Sequence, residues 1–122
     1  MSTRSDPLAR LPGIDARVGR ANTLGNDRLY RRLLMMFRAE QHDFAAQFRA
    51  ARASGDTYAA LRLAHTLKSV AGSLGAASLQ QSADVLEYAC HKQADPDFID
   101  SLVDVVETDL EPVISGLMGL DD

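Results

Sequence analysis

The sequence predicts an all-α protein: an antiparallel up-down four-helix bundle with a short additional helix at its N-terminus. Three observations lead there. Apolar residues recur at helical spacing through almost the whole chain. No run of alternating β-branched residues bounded by turns appears. The segments between the periodic stretches are short and carry helix start and stop signals, which makes successive helices antiparallel neighbours. The chain has 122 residues, of which 46% are hydrophobic, enough for one domain with a modest core.

Residues 1–10 read as a tail or a linker cut from a longer chain, and 11–120 as the domain. "PGIDARVGRAN" marks the short first helix, and "TLGND" the turn after it. A long helix is predicted over 27–53, with Leu33, Phe37, Phe44 and Phe48 as its buried stripe. Gly55 suits the C′ position that closes it, and Asp56 the N-cap of the next. That next helix spans 57–74, with Ala60, Leu63, Leu67, Val70 and Leu74 as its seam and Gly75 as its end. Ser78 and Gln81 form a capping box for a helix over 78–93, whose seam is Leu79, Ala83, Leu86 and Cys90. Cys90 therefore reads as a small buried apolar residue rather than a reactive thiol. Asp95 and Pro96 read as N-cap and N1 of a last helix carrying Phe98, Leu102, Val105, Val106, Val113 and Leu117. Pro112 should kink or break it.

The charge is lopsided. Residues 1–52 hold ten arginines and five acidic residues; 53–122 hold three basic and twelve acidic residues, for a net −4 overall. Two solvated faces that attract each other across a bundle account for this, and a partner preferring one side is the sharper alternative. No basic patch with interleaved aromatics favours nucleic acid. No apolar run approaches the roughly 20 residues that span a bilayer, and the N-terminus has no secretory h-region. The single cysteine, Cys90, excludes an internal disulfide and a cysteine zinc cluster. These features imply a cytoplasmic domain.

The stretch "AHTLKSVAGSLGA" is unusual for a helix. At about 100° per residue, His65 falls about 180° from the seam of its helix, in the middle of the solvent face. Lys68, Ser69 and Gly72 surround it, and Gly72 costs the helix about 1 kcal/mol relative to alanine. The small residues leave a bare patch across which a macromolecule can approach the imidazole. Glu87 and His65 each lie eleven residues from Ala76, at the centre of the intervening turn, and so share a height in an antiparallel hairpin. A carboxylate there can accept from Nδ1–H, fixing the tautomer and leaving the Nε2 lone pair outward as a nucleophile. Leu61, one turn before His65 and off the seam, reads as an apolar contact for a partner, together with Ile14 and Val18 of the short first helix.

This pattern resembles the H-x-L-K-G-x-x-x-x-L-G signature of histidine-containing phosphotransfer (HPt) domains, of the kind found at the C-termini of bacterial hybrid sensor histidine kinases. "LPGID", "GNDRLYRRLLMMF", "SGDTYAALRLAHTLK" and "SADVLEYA" are similar to the corresponding stretches, so the resemblance covers about 11–117. Ser69 departs from the usual glycine after the lysine, which implies slightly tighter access. The resemblance implies a phosphorelay intermediate in two-component signal transduction. His65 takes a phosphoryl group from an aspartyl phosphate of one receiver domain and passes it to the receiver of a response regulator. Lys68 then matches a charge-stabilising lysine, Glu87 a residue that orients the histidine, and Gly72 a position kept clear for docking. The implied domain is a monomeric carrier, not an enzyme. It has no nucleotide site or cofactor of its own, and the metal ion belongs to the partner receiver.

Three other readings compete. A degenerate HPt-like bundle would keep the fold and only bind proteins. A metal site on His42, His65 and His91 lacks i, i+4 pairs and any Glu-x-x-His motif, so His42 and His91 read as surface residues. An independent enzyme of another class would need a pocket motif or paired carboxylates beside a nucleophile, and the sequence shows neither.

Overall fold

The structure is a computed structural model that describes residues 6–120. Among them are six α-helices, one short 3-10 helix and no strand. The helices are α1 (Ala16–Asn22), α2 (Asp27–Gln41), α3 (Phe44–Ala53), α4 (Thr57–Leu74), α5 (Ala77–His91) and α6 (Pro96–Met118). The most extensive packing is between α4 and α5, followed by α5 with α6 and α3 with α4; α1 lies against α4. No helix among the described residues is long and apolar enough to cross a membrane.

The helix starts follow the sequence signals in most cases. Asp15, Asn26, Asp56 and Asp95 each accept a backbone N–H of the first turn through the side chain. Gly55 takes a left-handed φ of 82°, and the Asp56 N–H donates to the Ala51 carbonyl, closing α3 as expected. α5 is different. It starts at Ala77 with Ala76 as N-cap and no side-chain cap, while Ser78 and Gln81 lie exposed inside the helix. Ala76 is only 1% exposed, so at this start burial against the core replaces the predicted capping box.

Five other expectations are corrected. The long helix over 27–53 is two helices, interrupted at His42 and Asp43. The buried positions Leu34, Phe37, Gln41, Phe44 and Phe48 keep helical spacing across the break, so periodicity alone cannot register it. The α4 seam is Ala60, Ala64, Leu67, Ala71 and Leu74, with Leu63 and Val70 only half-buried at its flank. The buried face of α4 is centred on three alanines, about 40° from the one that the larger side chains suggest. In α5, Ala89 is buried and Cys90 half-buried; burial pushes the Cys90 thiol up from its ordinary value. In α6 the buried set is Ile99, Val103, Val106, Leu110, Val113 and Leu117, while Phe98 and Val105 are exposed and Leu102 is half-buried. Pro112 does not break α6, which runs through it. It lies on the exposed face, where water can satisfy the Thr108 carbonyl that loses its donor, and the packed residues on either side hold the helix together.

The residues before α1 also pack. Residues 1–5 of the expected tail or linker lie outside the described residues, but Pro7–Arg10 form the 3-10 helix, and Leu8 is 2% exposed. Arg20 joins Asp6 at 2.7 Å and Asp27 at 2.9 Å, tying this turn and α1 to the start of α2. The opposite charges of the two halves do meet at one place: Arg49 of α3 reaches Asp104 at 2.6 Å and Glu107 at 3.5 Å on α6. Exposed pairs of this kind contribute about 0.2–1 kcal/mol each.

The N-terminal segment closes the C-terminus of α4. Gly75 has φ 94°, its N–H donates to the Gly72 carbonyl, and the Ala76 N–H donates to the Ala71 carbonyl, a Schellman motif. The Ser73 carbonyl accepts from the Asn22 amide at 3.1 Å, and the Leu74 carbonyl from the Tyr30 hydroxyl at 2.8 Å. The Asp15 N–H donates to the Gly75 carbonyl at 2.9 Å. Tyr30 is fully buried, and burial raises its phenol to about 12. The hydroxyl end of its ring lies against Gly19, leaving no room for a Cβ there. Gly19→Ala is therefore expected to destabilise the fold by about 1–3 kcal/mol through overpacking, read as a lower urea midpoint with unchanged slope.

Candidate functional site

His65 and Lys68 project from α4, and Glu87 and Asp84 from α5. The two helices form the most extensive packing in the fold, and polar side chains along one edge of the pair come within hydrogen-bond reach. The His65 Nδ1 lies 2.7 Å from the Glu87 Oε2. The other carboxylate oxygen, Oε1, accepts from the Lys68 Nζ at 2.6 Å. Lys68 also reaches the Asp84 Oδ1 at 3.4 Å. The His65 side chain is 51% exposed and that of Glu87 21%, so the nucleophile candidate faces solvent while its carboxylate partner is half-buried beneath it.

These charges set one another. Burial pushes the Glu87 carboxyl up, but hydrogen bonds from Lys68 and His65 together outweigh it, and the group lies below its ordinary 4.5. The hydrogen bond to Glu87 holds the Lys68 ammonium above its ordinary 10.5, with a smaller contribution from Asp84. A carboxylate only accepts, so the facing Nδ1 carries the proton. In the neutral ring the lone pair is then on Nε2.

The neighbouring small residues are placed less simply than the sequence suggests. Ser69 is exposed, and Gly72 is half-buried because the Gln80 amide lies over it, where a Cβ would otherwise project. The predicted bare patch is thus partly filled by a movable side chain from α5. Of the predicted docking residues, Val18 is 44% exposed on α1. Leu61 is half-buried in a groove with Tyr58, Cys90 and Ile99. Ile14 is corrected to a core residue: it precedes α1, packs inward at 9% exposure and offers nothing to a partner. His42 and His91 are exposed at the ends of α2 and α5, and no cluster of metal-ligating side chains occurs among the described residues.

Asp84 and Gln80 were not singled out by sequence reasoning, yet a usable signal was present. Lys68 and Asp84 are each eight residues from Ala76, and Gly72 and Gln80 are each four. The same register that pairs His65 with Glu87 therefore gives three successive rungs. The sequence makes only the outermost rung conspicuous, because the inner two pair a helix-surface lysine and a glycine with residue types that are commonplace on any exposed face.

A helical domain that displays an imidazole on its surface, steadied by a carboxylate from the adjacent helix, belongs to a narrow class. The family model described as Hpt domain matches residues 32–116, which is most of the chain, and the chain belongs to that family. Hpt domains are phosphocarriers of two-component signalling that interact with receiver domains; they are not classical enzymes. Comparison with curated proteins and with solved structures gave no match.

The depressed Glu87 carboxyl has a defined pH signature. Stabilisation from a lowered carboxyl is complete above the ordinary value of 4.5 and is lost as pH falls through the lower folded-state value. The stability difference between wild type and Glu87→Gln should accordingly be larger at about pH 7 than at about pH 3, read from urea midpoints at both.

Proposed function

We propose that this domain is a phosphorelay intermediate that accepts a phosphoryl group on His65 from an aspartyl phosphate of one receiver domain and delivers it to a response-regulator receiver. The observation that carries this reading is the His65 Nδ1 to Glu87 Oε2 contact of 2.7 Å beneath a half-exposed ring. In the forward step the Nε2 lone pair attacks phosphorus, a P–N bond forms, the acyl-phosphate P–O bond breaks, and the receiver carboxylate leaves with that electron pair. The ring keeps its Nδ1 proton and becomes a cation, and the Glu87 carboxylate lies against that charge. In the return step a receiver carboxylate attacks phosphorus, and the P–N electrons go back to Nε2. Lys68 offsets charge on the phosphoryl oxygens; at about 4 Å in water one unit pair is worth only about 1 kcal/mol.

The rest of the reading follows from a carrier role. Helices α2 with α3, α4, α5 and α6 act as an antiparallel up-down four-helix bundle and α1 as the extra helix; the short connections and the helix pairs in contact support this. Residues 11–120 form the functional unit. The domain works as a cytoplasmic monomer, on its own or as part of a hybrid sensor histidine kinase. It needs no cofactor, and the metal ion resides in the receiver. Ser69 and Gly72 keep the approach clear, and Val18 and the exposed part of Leu61 contribute apolar contact.

Two substitutions test the proposal with a receiver phosphorylated by a small-molecule donor. His65→Ala should abolish transfer of label to the domain, and label retained by that variant overturns the assignment. Gly72→Leu should displace the Gln80 amide, keep the helical content, and slow transfer by roughly tenfold or more, since about 1.4 kcal/mol of obstruction in the transition state already gives tenfold. Rapid-quench transfer kinetics and circular dichroism read the two properties separately.

A further inference from the structure

The Lys68 ammonium has two competing demands on it. It is committed to α5, at 2.6 Å from Glu87 and 3.4 Å from Asp84. The Glu87 carboxylate also meets the Nδ1 side of the imidazole, whereas a phosphoryl group on Nε2 would sit on the other side of the ring. Glu87 has an evident reason to be there, since it fixes the ring. Asp84 has no contact with His65. It is 63% exposed on its side chain, sits one turn before Glu87, and reaches the site only through Lys68.

We propose that Asp84 is a positioning residue that holds Lys68 back from the phosphoryl group on His65, so that the phosphorylated state is less stabilised and the group is passed on more readily. The inference rests on His65 being the phosphoryl acceptor. Two effects act in the same direction. The Asp84 carboxylate competes for the ammonium that the phosphoryl oxygens would otherwise hold. It also places a negative charge near a group carrying about −2. A carrier benefits from both, because a phosphoryl group bound too favourably would not leave for the next receiver. Lys68 on α4 and Glu87 and Asp84 on α5 form one linked set of charges beside the ring, and Asp84 joins it only through Lys68.

The test uses the 122-residue domain loaded with phosphoramidate, a small-molecule phosphoryl donor, which removes receiver docking from the measurement. Phosphorus NMR follows the second ionisation of the phosphoryl group on His65 as pH is varied. Asp84→Asn keeps the shape of the side chain and removes its charge. It should lower the proton affinity of the phosphoryl group by roughly twofold to sixfold, the size expected for one unit charge several ångströms away in water. The difference should shrink as salt is raised. Asp84→Glu restores the charge and should return the titration towards wild type, which a merely structural role would not require. Loading of wild type at His65 with the same titration in wild type and Asp84→Asn overturns the role of Asp84 alone. Failure of wild type to load at His65, while a known phosphocarrier loads under the same conditions, overturns the acceptor assignment and this inference with it.

Discussion

The turn at Gly75 is the constraint on which the site depends. A left-handed φ of 94° stops α4, and the chain re-enters a helix at Ala77. The Asp15 carbonyl presses against the place where a side chain at residue 75 would be, so that position is restricted both by its backbone angle and by contact. With the turn fixed, the register of α4 against α5 follows. His65 falls opposite Glu87, Lys68 opposite Asp84, and Gly72 opposite Gln80. A shift of one residue in that turn would rotate each rung by about 100° and separate the imidazole from its carboxylate.

The N-terminal segment serves this turn. α1 and the first turn of α2 satisfy three carbonyls at the end of α4, through Asp15, Asn22 and Tyr30. Helix ends with unpaired carbonyls are costly when buried, and here the partners come from residues before position 32, where the family match begins. The segment is thus part of the scaffold of this particular chain. The fully buried Tyr30 ring against Gly19 holds it in place.

The site itself is built at low energetic cost. Its charges sit at an edge, partly solvated, and each contact is modest in water. What it requires is placement, and the extensive packing of α4 on α5 supplies that. It brings a glutamate on one helix within reach of both a histidine and a lysine on the other.

The helical character, the helix starts at Asp56 and Asp95, the end at Gly75 and the pairing of His65 with Glu87 were all legible in the sequence. Each rests on local chemistry or on counting residues from a turn, and neither depends on what packs where. The interruption at His42 and Asp43, the inward packing of Ile14, the continuity of α6 through Pro112 and the rotated seams of α4 and α6 were not. These depend on which face meets a neighbour, and a hydrophobic pattern understates alanine, which here fills three buried positions of α4. The sequence by itself determined which residues are opposite one another; tertiary structure decided which way each helix turns its faces, because close packing of small side chains and solvation of exposed ones are settled only when the neighbours are in place.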